Sequence, residues 1–140
     1  ITDSLVGSEM CIRDRAIVDK RRPSPGKSQV MNVIGNVKNK VCILTDDIID
    51  SGGTIVNAAD ALIKRGAKEV HVYATHGVFS GEAVKKIKNS KIKNLVITDS
   101  IDISDKLKKV GNIEVLSISI LLAEAIKRIS NSTSVSDLFK

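Results

Sequence analysis

The sequence has few aromatic residues and little cysteine, and both shortages exclude classes of function. Phe, Trp and Tyr together make up 2% of the 140 residues, and Trp is absent. Proteins that hold single-stranded nucleic acid stack its bases on aromatic side chains, so we expect no nucleic-acid partner. The two cysteines, Cys11 and Cys42, form neither a disulfide framework nor a CxxC pair. Cys42 lies within an apolar run, which is typical of a small buried hydrophobic residue.

Long hydrophobic runs are also missing. No apolar run approaches the roughly 20 residues that cross a bilayer, so we expect no membrane-spanning helix and no membrane partner. The opening stretch, ITDSLVGSEMCIRDR, lacks the basic and apolar regions of a signal peptide and follows no strand or helix period. We predict that residues 1–15 are a non-native or disordered leader, that residues 16–140 form one domain, and that the protein is cytoplasmic.

The charge of the chain is positive. Its formal net charge of +6 favours an anionic partner; charge alone would fit nucleic acid, which the shortage of aromatic residues argues against, an acidic surface or a phosphorylated metabolite. Residues 16–40 contain six Lys or Arg and a single acid, Asp19. Within them, KRRPSPGKSQ is rich in proline, glycine and serine, which predicts an exposed loop. A basic run alone is usually a solvated face, but a basic loop beside a phosphate site would bind the phosphate.

Strand and helix patterns alternate from Ala16 onward. VCILT at 41–45 is a continuous apolar run, typical of a buried strand, and the next segment repeats apolar residues at helical spacing up to Lys64, Arg65 and a Gly66 stop. Further patterns predict strands AIVD, MNVIG, VHVYAT, LVIT and IEVLSI, and helices GEAVKKIKNS and ILLAEAIKRIS. His76 falls in the turn after VHVYAT and is assigned no role. The alternation predicts an α/β fold with a mostly parallel sheet flanked by helices.

The turn DDIIDSGGT follows the first buried strand of this pattern. Ligands of open parallel sheets bind beyond the carboxyl ends of the strands, and N–H groups at a helix N-terminus favour an anion. Glycines would let a phosphate approach the backbone, so DSGGT is a plausible phosphate cradle. It lacks the lysine of a Walker P-loop and the spacing of an EF-hand. The alternative is an ordinary acidic turn in which Asp50 or Ser51 caps the helix.

The acids of this turn need an explanation of their own, because carboxylates repel phosphate. Asp46 and Asp47 are understandable if they hold hydroxyl groups or a hard cation while the glycine end holds phosphate. A sugar phosphate with free hydroxyls, together with Mg²⁺, satisfies both ends of the turn.

Several ordered motifs resemble one enzyme family. ILTDDIIDSGGTI is similar to the phosphoribosyl-diphosphate-binding signature of type I phosphoribosyltransferases and ribose-phosphate pyrophosphokinases. AIVDKRRP resembles the catalytic flexible loop of the pyrophosphokinases, YATHGVFSGEA their THxxFSG segment, and LLAEAIKRIS followed by SVSDLF their carboxyl end. One departure is the Ser-Gly-Gly of DSGGT, where these kinases more often have Thr, a small residue and Gly. The resemblance runs from about Ala16 to Phe139 and implies a type I phosphoribosyltransferase-like fold.

The resemblance also implies a reaction and roles for residues. In this family ribose 5-phosphate attacks the β-phosphorus of Mg-ATP, giving phosphoribosyl diphosphate and AMP. Lys20 and Arg22 would be the catalytic loop cations. Asp46 and Asp47 would hold the ribose hydroxyls and help organise Mg²⁺. The 5-phosphate would be bound by the loop residues Asp50, Ser51, Gly52, Gly53 and Thr54, and a regulatory phosphate by Ser134 and Ser136.

The family chain is longer, with an N-terminal domain of similar fold that supplies most of the ATP pocket. The resemblance therefore implies that this chain is the C-terminal half, that it is inactive alone, and that the intact protein is a homo-oligomer. Two alternatives stay open. A phosphoribosyltransferase would share the DDIIDSGGT signature, and a non-catalytic regulatory subunit of the synthetase would share the whole fold.

Overall fold

Short apolar runs form strands and amphipathic runs form helices along this chain. The computed structural model describes residues 16–21, 30–103, 105, 107 and 111–139. The strands are β1 (Ile17–Arg21), β2 (Val30–Ile34), β3 (Val41–Ile49), β4 (Glu69–Gly77), β5 (Asn94–Thr98) and β6 (Ile113–Leu116). The helices are α1 (Gly53–Lys64), α2 (Ala83–Lys88) and α3 (Ser119–Ser130), and a 3-10 helix, Ser136–Phe139, follows α3.

Four strands form a parallel sheet in the order β3-β4-β5-β6. Helix α1 connects β3 to β4, and α2 connects β4 to β5. Each connection steps to the next strand in the same direction, and crossovers between parallel strands are right-handed, so α1 and α2 cover the same face. The predicted α/β fold, a mostly parallel sheet flanked by helices, is confirmed.

The core lies between this sheet and its two crossover helices. Val70, Val72, Leu95 and Ile97 point inward from β4 and β5 and are fully buried. Alternate residues of a strand face opposite sides, so the other face of the sheet carries Ile43, Tyr73 and Leu116, which are exposed. The buried set of the described residues is entirely apolar or glycine, with no buried charged group.

Strands β1 and β2 form a separate antiparallel pair, in which Lys20 lies opposite Met31. The predicted strands AIVD and MNVIG are therefore confirmed, but they pair with each other and lie outside the parallel sheet. Strand β2 contacts α1, which places the pair beside the β3–α1 unit. Residues 22–29, which connect the two strands, are outside the described part of the chain.

Helix α3 follows β6 and ends the regular fold. Its apolar side chains are open to solvent, with Ile120 83% exposed and Ile129 67% exposed. Among the described residues, no helix combines the length and the apolar character needed to cross a membrane.

Candidate functional site

The two acids that follow VCILT belong to strand β3. Pairing with β4 continues through Asp46↔Ala74 to Ile49↔Gly77, so the strand ends at Ile49 instead of Thr45. His76 likewise lies within β4, where its partner is Ile48, and the prediction that it occupies a turn is wrong. Because successive strand residues alternate in direction, Asp46 and Asp47 leave the backbone on opposite sides.

Both of these carboxylates are exposed and bind the neighbouring backbone. Asp46 Oδ1 accepts the N–H of Asp47 at 2.9 Å, and Asp47 Oδ1 accepts the N–H of Ile48 at 2.8 Å. Within the described residues, neither carboxylate forms an ion pair. Each side chain is therefore held in place through one oxygen, and a ligand has access to the other.

A three-residue loop, 50–52, joins β3 to α1. Gly52, with φ 72°, is the N-cap residue of α1, and the helix has no side-chain cap hydrogen bond among the described residues. The alternative in which Asp50 or Ser51 is an ordinary N-cap is therefore wrong. A left-handed φ is unfavourable for residues with a Cβ, so this turn requires the glycine.

The loop and the first turn of α1 present their backbone donors outward. In the described part of the chain, the N–H groups of Ser51, Gly52, Gly53 and Thr54 have no hydrogen-bond acceptor. Ser51 and Thr54 are exposed, Gly53 is half-buried and Gly52 is buried. The donors of the loop and the helix N-terminus together favour a negatively charged ligand group.

A small cavity of about 160 Å³ lies at this loop. Its lining includes Asp46 from β3, Asp50 to Gly52 from the loop, and Thr54 from α1. Asp47 and Gly53 are outside the lining. The structure thus brings together Asp46, Asp50, Ser51, Gly52 and Thr54, whereas Asp47 is adjacent along the strand but faces elsewhere.

A second cavity of about 310 Å³ adjoins the first, and both are lined by Asp46, Thr54 and Ile55. Ala16 and Val18 line its other wall, so it extends from the loop to β1. Lys20 lies two residues further along β1 at the backbone level. Arg22, the other predicted catalytic cation, lies outside the described residues.

Ser134 and Ser136, predicted to bind a regulatory phosphate, lie together after α3. Their Oγ atoms are 2.8 Å apart, and both residues are exposed. Arg128 Nη1 donates to the carbonyl of Ser134 at 2.9 Å, and Arg128 Nε donates to Glu124 at 3.0 Å. Arg128 thus orders this segment, a role that its surface position in the helical pattern did not reveal.

Two ionisable side chains near the sheet have shifted pKa values. Burial raises the pKa of the Cys42 thiol, although Lys40 opposes the effect, in agreement with a half-buried apolar cysteine. The hydrogen bond from the Ser117 side chain, followed by that from the Ile118 N–H at 2.9 Å, lowers the pKa of Asp99. Asp99 follows β5 and so ties the start of α3 to the sheet.

A polar cluster at the ends of β4 and β5 was also missed by sequence reasoning. His76 Nδ1 lies 2.8 Å from Ser100 Oγ, and Thr98 Oγ1 donates to the carbonyl of Thr75 at 2.7 Å. Serine and threonine after a strand are too common to single out in a sequence. The cluster fixes the end of β5 relative to the end of β4, the strand that pairs with β3.

Curated proteins similar to this chain include several ribose-phosphate pyrophosphokinases. The chain is 60% identical over 124 residues to a ribose-phosphate pyrophosphokinase of Bradyrhizobium diazoefficiens, covering 89% of this chain and 39% of that protein. It is 52% identical over 126 residues to the Haemophilus influenzae protein of the same name, and the match covers 90% of this chain and 40% of that protein. The chain thus spans well under half the length of these relatives.

A solved structure with the same fold supports this similarity. The crystal structure of phosphoribosylpyrophosphate synthetase from Mycobacterium smegmatis matches with a TM-score of 0.70 and 40% sequence identity. The match covers 76% of this chain and 35% of that one. The family model described as phosphoribosyl synthetase-associated domain matches residues 10–140, so its match begins within the stretch predicted to be a leader. The chain therefore belongs to the phosphoribosyl synthetase-associated domain family.

Proposed function

We propose that this chain carries the ribose 5-phosphate site of a ribose-phosphate pyrophosphokinase. The reaction transfers diphosphate from ATP to ribose 5-phosphate and yields phosphoribosyl diphosphate and AMP. The observation that carries the proposal is the 160 Å³ cavity, where loop N–H groups without an acceptor among the described residues lie beside the carboxylate of Asp46. An anionic group and a hydroxyl group of one ligand would each find a complementary partner there.

The phosphate of the ligand binds at the loop in this proposal. The N–H groups of Ser51 to Thr54 donate to it, and the exposed Ser51 and Thr54 add hydroxyl donors. Asp50, at the loop entrance, accepts from ligand hydroxyls or water rather than contacting phosphate oxygen directly. A ribose hydroxyl donates to Asp46, which places the sugar toward the 310 Å³ cavity that Asp46 shares, and Asp47, on the opposite side of the strand, acts through water.

Asp46 and Asp47 are suited to bind Mg²⁺, which would occupy the site together with the sugar phosphate. Among the described residues there is no cluster of three or more His, Cys, Asp or Glu able to enclose a metal. Mg²⁺ does not require one, because it commonly binds through one or two carboxylates, water and substrate phosphates. Asp46 and Asp47 are exposed oxygen ligands of that kind. When bound, Mg²⁺ would neutralise charge on the phosphate oxygens.

Lys20 and Arg22 are the catalytic cations in this proposal. A cation positioned on a transferring phosphoryl group stabilises the charge that develops there and raises the rate. Lys20 lies in β1, the strand that contributes Val18 to the lining of the 310 Å³ cavity. That position is compatible with a loop that closes over the sugar phosphate and the triphosphate.

The position of this chain within its relatives is part of the proposal. A match to about 40% of a relative could come from either half, and we assign it to the carboxyl-terminal half on the SVSDLF segment and the DDIIDSGGT signature. The main ATP pocket would lie in the remaining part, so the isolated chain would be inactive. We also propose that the intact protein is a cytoplasmic homo-oligomer and that Ser134 and Ser136 bind a regulatory phosphate.

Calorimetry with three ligands tests the proposed site. The chain is titrated with ribose 5-phosphate in the presence of Mg²⁺, then with ribose, and then with ATP. We expect measurable binding of ribose 5-phosphate, no binding of ribose because the loop donors have no phosphate to bind, and poor binding of ATP. Equal heats from ribose and ribose 5-phosphate would contradict a phosphate cradle.

The two alternatives need a separate assay. A phosphoribosyltransferase would release pyrophosphate when the chain is mixed with phosphoribosyl diphosphate and a panel of nucleobases, and turnover with any base would overturn our assignment. A regulatory subunit would bind no ribose 5-phosphate yet would still alter the activity of a catalytic partner. The retained acids and cations at Asp46, Asp47 and Lys20 favour the catalytic assignment.

A further inference from the structure

The connection between β4 and α2 is hydrogen-bonded through residues 78–80 to the start of loop 50–52, which precedes α1. The N–H groups of Val78 and Phe79 donate to the carbonyl of Ile49 at 2.9 and 3.2 Å. The N–H of Ser80 donates to the carbonyl of Asp50 at 3.1 Å. Both peptide carbonyls at the entrance of the loop are therefore held by residues 78–80.

These bonds determine where a loop N–H points. In a planar trans peptide, the carbonyl of one residue and the N–H of the next point in opposite directions. Because Ser80 holds the Asp50 carbonyl, the N–H of Ser51 is directed away from residues 78–80. Ser51 lines the 160 Å³ cavity, and its N–H has no acceptor in the described residues.

Phe79 fixes the conformation of residues 78–80. Its φ is 49°, in the left-handed region that residues with a Cβ avoid, yet its side chain is only 1% exposed. A methyl group placed on Gly77 would lie 3.0 Å from Phe79 Cε2 and 2.8 Å from Ile97 Cδ1. The ring therefore occupies space that only a glycine at position 77 leaves open.

The underside of the loop is packed as well. A Cβ on Gly52 would lie 3.5 Å from Ile87 Cδ1 and 3.6 Å from the carbonyl of Ala83, and both of these α2 residues are fully buried. The loop is thus held by α2 below and by residues 78–80 at its entrance. Ser51 and Gly52, whose N–H groups have no acceptor among the described residues, line the cavity.

We infer that Phe79, seated against Gly77, is a positioning residue that aims the Ser51 N–H at the phosphate of the ligand. Neither residue lines the cavity, so the effect is transmitted through the carbonyls of Ile49 and Asp50. The inference rests on the proposed function for the identity of the ligand. The orientation of the Ser51 N–H does not depend on that function and is measured separately.

The experiment compares Gly77→Ala with Val70→Ala, which removes two methyl groups from a fully buried side chain at the other end of the same strand, far from the loop. Ribose 5-phosphate affinity is measured by calorimetry, stability by thermal unfolding, and the Ser51 amide by ¹⁵N NMR without ligand. We expect Gly77→Ala to lower affinity by about tenfold or more, since one hydrogen bond to a charged group is misdirected. Val70→Ala should change it by less than about twofold.

A second variant keeps the test decisive if Gly77→Ala does not fold. Phe79→Leu removes the ring but keeps an apolar side chain, and it should also shift the Ser51 amide and weaken binding.

The two hypotheses fail in different ways. If the wild-type chain binds no ribose 5-phosphate, the proposed function fails, while the amide measurement still tests the positioning role. If the Ser51 amide is unchanged in both Gly77→Ala and Phe79→Leu, or if Val70→Ala lowers affinity as much as they do, the positioning role is wrong.

Discussion

Asp46 of β3 and Thr54 of α1 line the same two adjoining cavities, one at the loop and one that reaches β1. The strand contributes a carboxylate, and the helix contributes a hydroxyl beside N–H groups that have no acceptor in the described part of the chain. A ligand that reaches both must carry a hydrogen-bond donor at one end and an anion at the other. This relationship leads to the first prediction.

Replacing Asp46 with Asn should weaken ribose 5-phosphate binding by about 1.5–3 kcal/mol, the range for a hydrogen bond to a charged group. Thr54→Val should cost less, about 0.5–1.5 kcal/mol, because it removes one neutral hydroxyl donor. Asp47→Asn should have a smaller effect than Asp46→Asn, since Asp47 lines neither cavity. Calorimetry in Mg²⁺ measures all three.

Glu114→Gln is the matched control for these carboxylate changes. Glu114 is exposed on β6, at the opposite edge of the sheet, and its loss should leave affinity unchanged. An Asp46→Asn variant that binds as well as Glu114→Gln would contradict the role of Asp46.

Replacing either of two adjacent glycines with alanine should change the stability of the protein by different amounts. Gly52→Ala should lower the free energy of unfolding by about 1–2 kcal/mol, because φ is 72° although a Cβ would meet its neighbours only at ordinary contact distance. Gly53→Ala should leave stability unchanged or raise it by up to about 1 kcal/mol, since Gly53 is helical and a Cβ there would meet Ser51 Oγ at an ordinary contact distance of 3.9 Å. Urea denaturation measures both, and equal losses would show that backbone conformation is not the cause.

The lowered pKa of Asp99 should appear in the pH dependence of stability. Its folded pKa lies below its unfolded value, so the stabilising carboxylate contacts are fully present above the unfolded value and are lost as the pH falls through the folded one. Below about pH 4, the wild type should therefore lose stability that Asp99→Asn does not lose. Denaturation at a series of pH values measures this, and Glu114→Gln should follow the wild type. Parallel curves for the wild type and Asp99→Asn would refute it.

Lys20 should affect turnover rather than sugar binding. In a full-length enzyme rebuilt around this chain, Lys20→Ala should depress kcat by a factor of about 10³ or more, as for other cations on transferring phosphoryl groups, with little change in ribose 5-phosphate affinity. Lys38→Ala is the control, because Lys38 is exposed in the turn before β3 and should affect neither quantity. Loss of sugar binding in Lys20→Ala would show that its role has been misassigned.

Much of the fold could be predicted because it depends on local pattern. The apolar run at 41–45 and the helical repeat ending at Gly66 specify β3 and α1 without reference to the rest of the chain. Gly66 has φ 89° in the structure, as a helix stop requires. The extension of β3 to Ile49 was not predictable, because it depends on pairing with β4 and the segment contains two acids.

The site was predictable in part for the same reason. The donors and acids of the site lie in the consecutive residues DDIIDSGGT, so they could be identified from the sequence alone. The N-cap residue of α1 could not be identified from the sequence, because Gly52 takes its left-handed conformation against Ile87, which is distant in sequence. The packing of Phe79 against Gly77 could not be predicted either, since the FSG segment shows no periodicity that would place the ring there.

The most direct test of the central claim is to map the ligand on the chain. Ribose 5-phosphate is titrated in Mg²⁺ into ¹⁵N-labelled protein, and the amide shifts are followed residue by residue. We predict that the largest shifts occur at Ser51, Gly52, Gly53 and Thr54, with a smaller response at Asp46 and Asp47. Shifts concentrated around Ser134 and Ser136, or the absence of any shift at 51–54 at saturating ligand, would contradict the assignment of this loop as the ribose 5-phosphate site.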